Sequence, residues 1–132
     1  MLQGGCFCGD VRYETEGRPH FESICHCSMC RRSTGAPLVA WFTVARAKFR
    51  FVRGTPTSFQ SSDKATRRFC GRCGTQLTFE HVGYPDAVDV TTSSLDDPDA
   101  VAPRDHTYAA DKLAWIRLAD GLPEYRASRS EG

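Results

Sequence analysis

Seven cysteines gathered in three short clusters constrain this chain more than any other feature of its sequence. They are Cys6 and Cys8, then Cys25, Cys27 and Cys30, then Cys70 and Cys73, so the pattern reads CxC, sixteen residues, CxCxxC, thirty-nine residues, CxxC. Thiols this close in sequence are poorly placed to bridge one another, because a disulfide asks for a Cα separation of about 4.4–6.8 Å with particular Cβ directions. They can readily share a metal. An odd number would also strand one thiol in a disulfide framework, whereas a division into four and three is what one closed and one open zinc site need.

The glycines suggest how the seven divide. A zinc-binding turn points backbone N–H groups at the thiolate sulfurs, and a glycine after the last ligand takes up the left-handed backbone without a Cβ penalty. Gly9 and Gly74 occupy that place in the first and third clusters, while Arg31 follows the middle one. Cys6, Cys8, Cys70 and Cys73 are therefore expected to form a closed structural zinc site. Cys25, Cys27 and Cys30 are left as an open catalytic site, so two zinc ions per chain are expected. A zinc dication against three thiolates carries one net negative charge, which suits a soft incoming thiolate better than the generation of hydroxide. A thiol is the substrate class this points to. The spacing also allows another reading, in which His20, His26, His81 or His106 closes the triad into a second structural site.

A chain of 132 residues with 8 Phe, 4 Tyr and 2 Trp can bury a hydrophobic core without a disulfide scaffold. Its 17 Lys and Arg against 16 Asp and Glu give a formal net charge of +1, which supplies no global field for nucleic acid or an anionic membrane. The opening residues show no charged region followed by an apolar stretch, so neither a secretory signal nor a membrane span is expected and the cytoplasm is the default compartment. One domain over residues 1–125 is expected, with a flexible tail over 126–132 that lacks apolar anchors.

Strand signals dominate. Val11 and Tyr13 alternate with Arg12 and Glu14; Ala47, Phe49 and Phe51 with Arg46, Lys48 and Arg50; Leu77 and Phe79 with Gln76, Thr78 and Glu80. The runs from Leu38 to Val44 and from Ala87 to Thr91 read as more deeply buried strands. Short helical turns are expected near Cys27 to Arg32 and near Ser94 to Asp99, and no amphipathic helix of three turns is evident. The fold class is mostly β.

The sequence resembles the family of glutathione-dependent formaldehyde-activating enzymes, which also includes centromere protein V. The matching stretches are GGCFCGDVRY at 4–13, CHCSMCRRSTGAP at 25–37, FCGRCGTQL at 69–77, SSLDDPDAVAP at 93–103 and HTYAADKLAWIRLADGLPEY at 106–125. The LDDP and DGLP segments hold no metal ligand, so a generic zinc knuckle would not bring them along. The resemblance implies a β-tent type fold of antiparallel sheets, related to that of methionine sulfoxide reductase B. It implies a structural zinc on Cys6, Cys8, Cys70 and Cys73 and a catalytic zinc on Cys25, Cys27 and Cys30. The reaction it implies joins glutathione and formaldehyde into S-hydroxymethylglutathione, formally a carbon–sulfur lyase run in reverse.

Glutathione carries two carboxylates, so a groove for it should offer arginines. Arg31 and Arg32 follow the middle cluster and Arg67 and Arg68 precede the third, and these four are the candidates for binding it. His26 sits among the ligands, where an outward-facing or ligand-supporting role competes with that of a proton shuttle; His106 reads as a structural hydrogen-bonding residue. Trp41, Phe42 and Trp115 read as core aromatics, with an apolar pocket beside the metal as the alternative, and Asp96, Asp97 and Asp99 as caps of turns. Two rival functions stay open. One is a non-catalytic binding module for nucleic acid or protein, which the balanced charge disfavours; the other is a thiol redox enzyme, which needs a thiolate outside the metal sites.

Overall fold

In the computed structural model, residues 1–129 are described, and the alternation of apolar and polar residues resolves into two sheets and one short helix. The elements are β1 (Leu2–Gly5), β2 (Arg12–Thr15), β3 (His20–Cys25), α1 (Ser28–Thr34), β4 (Val39–Ala45), β5 (Phe49–Arg53), β6 (Thr57–Gln60), β7 (Ala65–Phe69), β8 (Gln76–His81), β9 (Ala87–Thr91) and β10 (Asp105–Thr107). A three-stranded sheet runs β1-β2-β5, and a seven-stranded sheet runs β10-β3-β4-β9-β8-β7-β6. Every pairing is antiparallel except β10 with β3, which is parallel and sets Thr107 opposite Cys25. The mostly β expectation holds.

Burial follows the patterns that made the strands readable. On β2, Tyr13 and Thr15 are buried while Arg12 and Glu14 are only partly so, the period of two expected of a strand with one face on the core. On β4, flanked by β3 and β9, the run from Trp41 to Val44 is buried throughout, as a central strand covered on both faces requires. Tyr13, Phe42, Val44, Leu77, Val88 and Val90 form the main core, which also takes in Cys6 and Cys70. A separate small cluster packs Cys25 and Cys30 against Val39 and Trp41, with Phe79 and Cys27 at its edge.

Three expectations need correction. The alternation from Arg46 to Phe51 does not run as one strand: Arg46–Lys48 is a 3₁₀ turn and β5 starts at Phe49, so Arg46 turns to Glu80 and Arg50 to Glu14. Trp115 is 66% exposed and belongs to no core, because its segment lies outside every strand and helix. Asp97 makes no side-chain cap at the turn Pro98–Ala100, while Asp96 pairs with Arg12 through both carboxylate oxygens.

Packing also continues past residue 125, the boundary expected for the domain. The amides of Tyr108 and Ala110 donate to the carbonyls of Ala127 and Arg126, and Arg129 pairs with buried Asp105. Residues 130–132 of the expected tail lie outside the described residues.

Candidate metal centres

The turn between β1 and β2 carries Cys6 and Cys8, and the turn between β7 and β8 carries Cys70 and Cys73. A tetrahedral zinc with bonds of about 2.3 Å needs sulfurs about 3.8 Å apart; Cys6 Sγ lies 3.6 Å from Cys8 Sγ, Cys8 Sγ lies 3.7 Å from Cys70 Sγ, and all four sulfurs fall within 4.8 Å of one another. The donor set and its spacing fit zinc. Gly9 and Gly74 have φ of 85° and 82°, the left-handed backbone their place after the last ligand called for. Backbone amides point at sulfur: Val11 N–H donates to Cys6 Sγ at 3.2 Å and Cys73 N–H to Cys70 Sγ at 3.4 Å. Thr75, which the sequence did not single out, holds the Cys73 thiol down to about 5 through its hydroxyl and its amide.

The other three cysteines meet where β3 gives way to α1. Cys25 ends the strand, Cys27 caps the helix, and Cys30 lies in its first turn, donating its N–H to Cys27 Sγ at 3.3 Å. Their sulfurs also lie within 4.8 Å of one another, and among the described residues no histidine nitrogen or carboxylate joins them. The reading in which His20, His26, His81 or His106 closes this site therefore fails. Cys25 and Cys30 are each 7% exposed while Cys27 is more open, so the cluster meets solvent on its Cys27 side. Hydrogen bonds accepted from Cys25 and Cys30 hold Cys27 far below the usual thiol range, and the same contacts push Cys25 up. Three soft donors that favour a shared negative charge suit a thiophilic cation such as zinc.

The arginines separate sharply. Arg31 is a strut: its Nη1 donates to the His26 carbonyl at 2.7 Å and to the Asp111 carbonyl at 2.6 Å. Arg67 and Arg68 are neighbours on β7, so their side chains leave opposite faces of the sheet. Arg67 is 4% exposed and turns to the triad, with Nη2 and Nη1 at 3.9 and 4.0 Å from Cys30 Sγ; Arg68 turns away and pairs with Glu80. Arg32 alone of the four is exposed and free of any carboxylate or carbonyl partner among the described residues. It lines a groove of about 440 Å³ with Met29, Ser33, Phe59 and Phe69, and Arg67, which contacts Cys30 Sγ, lines the same groove and so sets it beside the triad. A larger cavity of about 700 Å³ runs beside the four-cysteine site from Phe7 to Asp96 and touches no cysteine of the triad.

Behind the triad stands a buried hydrogen-bond chain. His26 Nε2 lies 2.9 Å from His106 Nδ1, and His106 Nε2 lies 2.8 Å from Asp120 Oδ2. Asp120 thus orients the His106 ring, whose other nitrogen meets His26. His26 Nδ1 is buried with no hydrogen-bond partner among the described residues, and burial pushes the His26 ring toward the neutral form. His26 thus faces inward, and His106 has the hydrogen-bonding role expected of it. Tyr108 is a further neighbour that sequence reasoning missed. Its backbone is left-handed at φ 53°, and burial together with the negative potential of the three cysteines raises its phenol.

The chain is similar to known proteins over most of its length. A Halomonas elongata protein, provisionally named a glutathione-dependent formaldehyde-activating enzyme, is 28% identical over 127 residues, covering 89% of this chain and 81% of that protein. A crystal structure of a Rhodobacter sphaeroides protein superposes with a TM-score of 0.59 at 26% identity, covering 93% of this chain and 98% of the other. The profile of one family matches residues 1–111, a span that contains both cysteine groups. The chain belongs to the glutathione-dependent formaldehyde-activating enzyme family.

Proposed function

We propose that the chain joins a thiol, most simply glutathione, to formaldehyde or another small aldehyde, and cleaves such adducts in reverse. The observation that carries this reading is the triad of Cys25, Cys27 and Cys30: three sulfurs within 4.8 Å, no fourth protein ligand among the described residues, and a solvent-facing side. In this reading Cys6, Cys8, Cys70 and Cys73 hold a structural zinc and the triad holds a catalytic one. A zinc ion held by Cys25, Cys27 and Cys30 would supply a Lewis acid that lowers the pKa of an incoming thiol.

The chain's own residues supply the rest. The groove beside the triad seats the body of the thiol against Met29 and Phe59, and the free guanidinium of Arg32 takes one carboxylate of glutathione. In the addition, the sulfur–carbon bond forms as the carbonyl π bond breaks, and the thiol proton ends on the former carbonyl oxygen. Holding both reactants at the edge of a small apolar cluster converts an encounter in solution into a step within one site.

Two alternatives are weaker on specific grounds. All seven cysteines fall into the two groups, which leaves no separate thiolate for redox work. A net charge of +1 gives nucleic acid little to bind. Within the described residues no helix is long and apolar enough to cross a membrane. The deciding experiment is NMR of labelled formaldehyde and of a set of aldehydes with glutathione, with and without the zinc-loaded protein. Faster exchange between free aldehyde and adduct, lost in Cys27→Ser, supports the proposal; exchange identical with and without protein for every aldehyde refutes it.

A further inference from the structure

We infer that Arg67 is the built-in counter-charge of the three-cysteine site, a positioning residue that fixes Cys30 and admits an anionic fourth ligand. The inference rests on the proposed function in so far as the triad is taken to hold a metal.

Arg67 is 4% exposed, and no carboxylate pairs with it among the described residues. A buried guanidinium without an anion is costly, so something else must hold its charge. Its surroundings answer this. Both terminal nitrogens face Cys30 Sγ, at 3.9 and 4.0 Å, and Nη1 donates to Ser33 Oγ at 3.3 Å. The guanidinium carbon lies 4.8 Å from the centre of the Phe79 ring and 6.0 Å from that of Trp41, so aromatic faces cover it. Among the described residues, the anion within reach is the cysteine cluster itself.

Charge arithmetic gives this contact a consequence. A divalent cation and three thiolates sum to one negative charge, which opposes the entry of a further thiolate; adding the guanidinium brings the sum to zero. An incoming thiolate then meets a neutral site rather than an anionic one. Ser33 sits one turn after Cys30 on α1 and lines the groove that also holds Arg32, so Arg67 forms the wall between that groove and the triad. This assigns separate tasks to two arginines: Arg32 meets the substrate carboxylate and Arg67 tunes the metal.

The test is chelator competition on zinc-loaded wild type, Arg67→Met and Arg67→Lys, with the four-cysteine site as an internal reference in every sample. Wild type is expected to release two classes of zinc, one tight and one weaker. Arg67→Met should weaken the weaker class about 10–100-fold, the range seen when a residue supporting a metal ligand is removed, and leave the tight class unchanged. Arg67→Lys, which keeps the charge, should recover most of that loss. Cobalt substitution gives a second readout: the thiolate-to-metal charge-transfer bands of the weaker site should shift in Arg67→Met and gain intensity on adding glutathione less readily than in wild type. Ser33→Ala, which frees one end of the guanidinium, should weaken the same class about fivefold and serves as the deciding variant if Arg67→Met does not fold. Two zinc classes that remain within twofold of wild type in Arg67→Met, or in Ser33→Ala when that variant decides, overturn the inference while leaving the proposed function standing. Equal weakening of both classes also overturns it, since that marks a purely structural role. A wild-type chain that binds one zinc overturns both.

Discussion

Replacing Cys73 by serine should damage the fold far more than replacing Cys30 by serine, although both remove one sulfur from a metal group. The difference lies in what each group closes. The four-cysteine group joins turns far apart in the chain, with Cys8 and Cys70 separated by 62 residues, and fastens the three-stranded sheet to the seven-stranded one. Treated as a covalent cross-link, a loop of 62 residues contributes about 4.3 kcal/mol by restricting the unfolded chain. With an unfolding entropy of about 2.1 cal/mol/K per residue over 132 residues, losing that restriction lowers the melting temperature by about 15 °C. The triad closes only the turn from Cys25 to Cys30, which the Arg31 N–H to Cys27 carbonyl bond at 3.1 Å and the helix cap already hold. Cys30→Ser should therefore cost about 1 kcal/mol, or about 4 °C. Thermal unfolding by circular dichroism, with zinc stoichiometry measured on the same samples, reads both. Equal melting temperatures for the two variants, at one zinc lost from each, would refute the assignment of structural and open sites.

Other consequences can be checked as directly. Tyr13 is fully buried, and burial pushes its phenol up to about 12 against an ordinary value near 10, so the neutral form is favoured in the fold. Its contribution is complete below about pH 10 and is lost as pH rises from about 10 to about 12, on the order of 3 kcal/mol in all; wild type should fall by that much relative to Tyr13→Phe in denaturant titrations across this window, and parallel curves would contradict it. Gly9→Ala and Gly74→Ala should each destabilise by about 1–2 kcal/mol through backbone strain alone, since a Cβ at either position meets no atom within 4 Å; unchanged urea midpoints would show that the left-handed turns are not needed. Arg32→Ala should raise the KM for glutathione about 10–100-fold and leave the KM for a thiol without carboxylates unchanged, and an equal effect on both thiols would remove Arg32 from the binding site.

The division of the cysteines was legible because spacing, two glycines and charge all point the same way, and each of these acts within a few residues. Tyr13 on β2 and Leu77 on β8 were legible for a similar reason, since alternation reports one buried face. The period of two also holds information that grouping by adjacency misses: Arg67 and Arg68 stand side by side in sequence, yet their strand sends one to Cys30 and the other to Glu80. Long-range pairing was not legible. The strand β3 reads HFESIC without alternation, because its register shifts between His20 and Ser23 and Phe21 takes a φ of 53°. Its parallel partner β10 is three residues long, so nothing local announces that His106 will meet His26 or that Tyr108 will border the triad. Size misleads at Trp115, where a large aromatic is 66% exposed while Phe42 is fully buried.

X-ray absorption at the zinc edge tests the central claim most directly, because it counts sulfurs around the metal without relying on turnover. Seven cysteines shared between two zinc ions predict a mean of 3.5 sulfurs per zinc, with the remaining donor a light atom, and a rise toward four when glutathione is added. One zinc with four sulfurs, or a mean of 3.5 that glutathione leaves unchanged, would contradict an open three-sulfur site that takes a thiol as its fourth ligand.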